Sequence, residues 1–265
     1  MTGLEKKLER LDAILQRHVP LLVAYSGGVD SAVLLWRAFR VMGASAMGAI
    51  ADSPSLKRSE LEEAFAFARS HGLPLRVIRT EETEDPRYQA NPVDRCFYCK
   101  YELFDRLHDL AKREGYAAVA YGENADDAGD FRPGQKAAKE FAVLAPLREA
   151  GLTKADIRSL AHDAGLEVAD KPAQPCLASR IPTGLEVTPD KMRQIEQAEA
   201  VLERAGFRIV RVRHLGGKAL VQVSPQETAR LLDDSCAPGI RRDLEALGFS
   251  SVEFDPAGYQ GASLR

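Results

Sequence analysis

Long hydrophobic runs are absent from this chain of 265 residues. None approaches the roughly 20 apolar residues that a membrane-spanning helix needs. The opening Met1-Thr-Gly-Leu-Glu-Lys-Lys7 lacks the apolar stretch of a secretion signal. A cytoplasmic protein without a membrane partner is therefore expected. An excess of positive charge is missing too: the formal net charge is -3 and the pI is near 6.0. That balance argues against a nucleic-acid partner, whose many phosphates would need neutralising, and leaves room for a local basic site. Cysteine is scarce, with Cys96, Cys99, Cys176 and Cys236 the complete set. In a reducing compartment these point to metal or redox chemistry before structural disulfides.

The stretch around which the rest is organised is Ser26-Gly-Gly-Val-Asp-Ser31, between the apolar run Leu21–Tyr25 and the helix-forming run Ala32–Trp36. Two glycines at a strand-to-helix junction allow a tight turn and close approach to a ligand. The helix start adds unpaired N–H groups and the positive end of its dipole, which together cradle phosphate. The usual nucleotide loop carries a lysine at the helix start, and this one has none.

Around that junction, strand-like runs at Met47–Ala51, Leu75–Ile78 and Ala117–Tyr121 alternate with helical patterns at Leu4–Leu15, Ser59–His71, Tyr101–Lys112 and Thr153–Ala164. Such alternation predicts an α/β fold, a doubly wound parallel sheet covered on both faces, with ligands beyond the carboxyl ends of the strands. Three strand ends then meet at one crevice: residues 26–31, 51–53 and 122–127. The last of these brings the adjacent carboxylates Asp126 and Asp127, hard oxygen ligands suited to Mg²⁺. An ordinary Asn/Asp-rich turn is the plainer reading. From Thr188 the pattern changes to a capped helix and two strands joined at Gly216-Gly217, followed by short helices and a last strand at Val252–Phe254. A smaller C-terminal α+β domain is expected, with residues 1–183 as the first domain and 184–265 as the second.

Arg95-Cys-Phe-Tyr-Cys-Lys100 places a C-x-x-C just before a helix, and Cys176 lies far off in a proline-rich loop. Three thiolates from two loops can share a 4Fe-4S cluster that leaves one iron open. A thiol–disulfide couple, a zinc knuckle, a catalytic thiol or a buried apolar cysteine are the competing readings. Cys236 has no partner spacing and reads as structural. Arg211 and Arg213, two apart on a strand, share one face and suit bidentate phosphate binding, or else are charges of a solvated edge strand. Glu199 falls in the apolar phase of its helix, where an acid is costly without a partner.

Residues 26–31 resemble the pyrophosphate loop of the ATP pyrophosphatase superfamily, with the PP-loop, adenine nucleotide alpha hydrolase-like fold. The loop together with Asp52-Ser-Pro-Ser55, residues 95–100, 122–127 and 130–134, Lys136-Ala-Ala138 and residues 175–182 resembles the LarE family. These are ATP-dependent sulfur transferases that make the nickel-pincer nucleotide cofactor of lactate racemase. The resemblance implies that ATP is held by Ser26, Gly27, Gly28, Asp30, Ser31, Asp52, Ser53 and Gly122, with Mg²⁺ on Asp30 and Asp127. It implies a small-molecule nucleotide substrate, a pyridinium mononucleotide bearing two carboxylates, contacted by Arg132, Arg180, Glu199, Arg211 and Arg213. Each carboxylate is adenylated and converted to a thiocarboxylate. The sulfur comes from a cysteine that is consumed, or from a 4Fe-4S cluster on three cysteines, which here would be Cys96, Cys99 and Cys176. Assembly into a homo-oligomer through the C-terminal unit is implied as well, and the sulfur donor is left unnamed. Gln222 departs from the pattern, since some members carry an acid there. A tRNA thiolase, an ammonia-dependent amide ligase and a nucleotide-sensing module are the rival readings.

Overall fold

The computed structural model describes residues 3–127 and 133–260, and they form two compact units. The first comprises Met1–Ser53, Arg58–Glu82 and Cys96–Gln174. Its sheet is built from β1 (Leu21–Ala24), β2 (Ala46–Asp52), β3 (Leu75–Arg79) and β4 (Ala118–Tyr121), all parallel, in the order β3-β2-β1-β4. All four β1 residues are buried, as a strand covered on both faces requires. Helices α1 (Gly3–Gln16), α2 (Val29–Met42), α3 (Arg58–Ser70), α4 (Arg95–Glu114), α5 (Pro133–Glu140) and α6 (Lys154–Asp163) belong to the same stretch of chain. Leu22 and Ala49 from the strands share a core with Phe104, Leu107 and Ala137 from the helices.

Two features of this order position the site. With β2 and β4 as its neighbours, β1 is the strand from which the connections run in opposite directions, and ligands bind beyond the carboxyl end of such a strand. The alternation of apolar runs predicted this much, and it is what the sheet shows. The helix carrying the C-x-x-C differs. It starts at Arg95 instead of near Tyr101, so Cys96 and Cys99 lie in the first two turns of a 20-residue helix and not ahead of it. The helix continues N-terminally because nothing in residues 95–100 breaks a helix, although the apolar periodicity begins later.

The second unit comprises Pro54–Lys57, Thr83–Arg95 and Pro175–Arg265. Strands β5 (Val210–Leu215) and β6 (Lys218–Val223) are antiparallel, and β7 (Ser251–Phe254) joins β6 in parallel. Helices α7 (Pro189–Arg204) and α8 (Ala237–Ala246) bury Leu202 and Leu244 with Val212, Val221 and Leu231. One side chain ties Thr83–Arg95 to Pro175–Arg265. The Asn91 amide donates to the carbonyls of Ile181, Pro182 and Leu185, while Gly184 N–H donates back to Asn91 O and Val187 N–H to Gln89 O. Composition along the chain carries no trace of such pairing. Among the described residues no helix is long and apolar enough to cross a membrane.

Candidate active site

Loop 26–31 begins at the end of β1. Gly28 is the N-cap of α2 and supplies no side-chain cap, so the first N–H groups of a helix whose opening turns are buried have no side chain competing for them. The loop is closed on itself instead. Ser31 Oγ lies 3.0 Å from Ser26 Oγ and donates to Gly28 O at 3.0 Å, and it accepts from Ser26 N–H at 3.1 Å. Gly27 has φ +75, a left-handed conformation that favours glycine, and a Cβ there would stand 3.3 Å from Ala64 on α3. The loop is therefore pressed on α3 with its backbone open at the strand ends.

On the other side, Gly122 directly follows β4, and a Cβ there would lie 2.7 Å from Ser31 N and 2.9 Å from Ser31 Cα. Both clashing atoms are backbone, so neither can swing away. Gly122→Ala should cost about 1–3 kcal/mol of stability through overpacking and displace the start of α2. Thermal unfolding and ATP titration of this variant check both effects, and unchanged ATP affinity would show that the contact is not needed.

Asp30, in the first turn of α2, accepts from Lys154 Nζ at 2.7 Å. Its other oxygen, Oδ1, is buried and has no hydrogen-bond partner among the described residues. Lys154 is itself tied down, since its backbone N–H donates to Asp126 Oδ2 at 2.7 Å at the start of a helix closed by the Thr153/Asp156 capping box. A lysine absent from the loop's own sequence is thus brought beside it from the start of α6. Of the adjacent carboxylates, Asp126 caps α6, while Asp127 is 8% exposed and accepts from Asn124 N–H. Asp52 pairs with Arg58, and Ser53 Oγ donates to the buried carboxylate of Glu82. Tyr25, directly ahead of the loop, is buried, and that burial together with Glu60 pushes its hydroxyl well above the usual tyrosine range.

Cys96 and Cys176 are exposed free thiols, and Cys99 is half-buried. Cys96 and Cys99 belong to the first unit and Cys176 to the second. Among the described residues no group of three or more His, Cys, Asp or Glu side chains is placed to hold a metal ion. Three thiols are the donor set that an iron–sulfur cluster takes. Mg²⁺ fits better in one respect: a buried carboxylate oxygen without a donor, such as Asp30 Oδ1, is the kind of ligand that a hard cation takes. Arg132 lies outside the described residues.

In the second unit Arg180, 3% exposed, grips Glu199, 1% exposed, through two parallel hydrogen bonds of 2.9 and 3.1 Å. Glu199 Oε1 also accepts the backbone N–H of Val212 on β5, and Lys57 Nζ stands 3.6 Å from Oε2. The acid in the apolar phase of its helix therefore meets protein groups at both oxygens. Arg211 Nη1 donates to Val210 O, and Arg213 Nε to Gln222 Oε1. Burial and the neighbouring Arg180 push the Arg211 guanidinium down from its ordinary value, and burial does the same to Arg213. Both are pulled from water, a setting in which an anionic ligand is welcome.

No family model matches the chain. An uncharacterised protein of Synechocystis is 40% identical over 98% of this chain and 97% of its own length. The pyridinium-3,5-bisthiocarboxylic acid mononucleotide synthase of Lactiplantibacillus plantarum is 32% identical, over 100% of this chain and 95% of its own. The chain belongs to that synthase's family, the LarE family. One of the subunits of the glutamine-hydrolysing GMP synthase of Methanococcus maripaludis is 25% identical over 68% of this chain and 62% of its own length. Against that background, the LarE-family chain contains site residues that no local motif announces. Lys154 follows a helix cap and looks like any surface lysine. Asp255 and Tyr259 follow the last strand, with no motif around them. Buried Glu123 accepts from Gln135 and Arg148 at 2.9 and 2.8 Å, which fixes the turn behind Gly122. Its place in the Gly122–Asp127 stretch was the one signal available.

Proposed function

We propose that this LarE-family protein is an ATP-dependent sulfur transferase. It adenylates the carboxylates of pyridinium-3,5-biscarboxylic acid mononucleotide and converts them to thiocarboxylates on the way to the nickel-pincer cofactor. The observation that carries this is the full-length identity with the bisthiocarboxylic acid mononucleotide synthase. The loop geometry and the half-paired Asp30 support its ATP step. Residues 1–183 perform the adenylation, and 184–265 recognise the substrate and carry the contacts between copies of the chain.

The chemistry needs ATP because a carboxylate oxygen is a poor leaving group. The carboxylate attacks the α-phosphorus, pyrophosphate departs, and the acyl adenylate then loses AMP to sulfur. Ser26, Gly27, Gly28 and Ser31 cradle the departing pyrophosphate, while Ser53 and Gly122 border the nucleotide and Asp52 stands at its rim. Asp30 and Asp127 would hold Mg²⁺, which supplies charge neutralisation on the phosphates. Lys154 adds a second positive charge there once Asp30 turns to the cation. Cys176 is the sulfur-bearing position, with Cys96 and Cys99 as its supporting thiols. A 4Fe-4S cluster on these three would supply a spare sulfide at an open iron.

The test is incubation with Mg-ATP and the biscarboxylic mononucleotide, following AMP, pyrophosphate and the mass of the product. Thiocarboxylate formation is expected, and AMP made only in the presence of ammonia would favour the amide ligase that the likeness to the GMP synthase recommends. Iron and acid-labile sulfide, at about four of each per chain for a cubane cluster, identify the sulfur source. Their absence after anaerobic reconstitution would leave Cys176 as the donor, seen as loss of hydrogen sulfide from the protein's mass after one turnover.

A further inference from the structure

Gln222 stands opposite Arg211 in the β5–β6 register and is 1% exposed. Its amide oxygen accepts from Arg213 Nε at 2.9 Å, and its amide nitrogen donates to Asp255 Oδ2 at 2.7 Å. A guanidinium can only donate and a carboxylate can only accept. A neutral amide is the side chain that joins the two with every bond satisfied, and the two charged ends fix which way the amide points. The acid that Gln222 lacks is present one residue further off, on the segment after β7.

Asp255 has a second task. Its Oδ1 accepts from Ala257 N–H at 2.9 Å, and its carbonyl accepts from Gly258 N–H at 3.1 Å. The resulting turn is pinned to β6 at both ends, by Asp255 N–H on Val221 O and Tyr259 N–H on Val223 O, at 2.9 and 2.7 Å. It delivers the Tyr259 ring to 5.0 Å from Arg211 Cζ, a cation–π distance. One carboxylate thus braces both guanidiniums, Arg213 through Gln222 and Arg211 through the turn.

The surrounding charge is uneven. Arg180 and Glu199 are matched, as are Lys57 and Glu203. Arg213 meets Asp255 only at one remove, through the amide. Among the described residues Arg213 offers its Nη groups to no protein acceptor, so the planar edge that suits a phosphate oxygen pair is still available.

We propose that Asp255 is the positioning residue of a phosphate-monoester subsite formed by Arg211 and Arg213, acting through Gln222 on one and Tyr259 on the other. This rests on the substrate-binding reading above, in which the paired arginines meet the 5′-phosphate of a mononucleotide, and adds the residue that braces them.

Calorimetric titration with nicotinic acid mononucleotide tests it, with its phosphate-free riboside and ATP as controls. Asp255→Ala and Gln222→Glu should each weaken mononucleotide binding about tenfold or more, the scale of disturbing a charged group at hydrogen-bond distance. ATP affinity and riboside binding should stay as they are. The double variant Gln222→Glu/Asp255→Asn moves the acid to β6 and keeps every hydrogen bond, and should recover most of the lost affinity. A merely structural role for Asp255 would not be restored by exchanging the acid's place. Wild-type binding by Asp255→Ala, or no recovery in the double variant, would overturn the proposal. Arg213→Ala separates the two levels. If it leaves mononucleotide binding intact, the phosphate-site reading itself fails; if it weakens binding while the Asp255 and Gln222 variants do not, only the bracing role is lost.

Discussion

Asp30→Ala is expected to release no pyrophosphate from ATP above background. The residue is placed where the α2 helix start, the end of β4 and the start of α6 come together, with one oxygen held by Lys154 and the other buried and without a hydrogen-bond partner among the described residues. In the proposed mechanism, removing it takes away the hard ligand for Mg²⁺, and it leaves Lys154 without the carboxylate that it meets. The metal contributes several kcal/mol to stabilising charge on the phosphates, and each 1.4 kcal/mol is a tenfold change in rate, so a drop of about a thousandfold follows. Asp30→Asn keeps the shape and one acceptor oxygen but loses the charge, and should fall nearly as far. Folding should survive, because a partly exposed pair such as Asp30–Lys154 is worth no more than about 1 kcal/mol. Pyrophosphate release at the wild-type rate by the folded variant would remove Asp30 from the mechanism.

Cys176→Ala separates the two half-reactions. The thiol is exposed and free, while the backbone around it is well anchored. Cys176 O accepts from Arg180 Nη1 at 3.1 Å, and Leu177 N–H donates to Ser55 O at 2.8 Å. Loss of Sγ should therefore leave the loop in place and adenylation within about twofold of wild type, the scale of an ordinary surface substitution. Thiocarboxylate should be absent, with the acyl adenylate or its hydrolysis product accumulating instead. Mass spectrometry of the product, alongside the AMP count, reads this directly. A normal yield of thiocarboxylate would show that sulfur comes from elsewhere.

Several elements were legible in advance because their causes are local. The four buried residues of β1 and the two glycines after them state a strand, a tight turn and a helix start within a dozen residues. Thr188 caps the helix that follows it, as its place directly before Pro189 predicts. The start of α4 was less legible. Helix starts without a cap residue or a proline leave no punctuation, so the C-x-x-C was assigned to the chain ahead of the helix instead of to its first two turns. Glu199 was recognisable as an acid needing a partner, but not as one already satisfied by Arg180 and a β5 N–H.

By itself the sequence determined the alternation of strands and helices, the glycine turn between strand and helix at Ser26–Ser31, the paired arginines on one strand and the smaller mixed unit at the C-terminal end. Each rests on side-chain period, backbone freedom or capping within one stretch of chain, where neighbours in sequence are neighbours in energy. The tertiary structure alone decided that Lys154 meets Asp30 across 124 positions, that Asn91 draws residues 83–95 into the second unit, and that Asp255 reaches Arg213 through Gln222. Those pairings depend on which surfaces the packed sheets and helices bring within 3 Å, and hydrogen bonds of that kind leave no periodic mark on the chain.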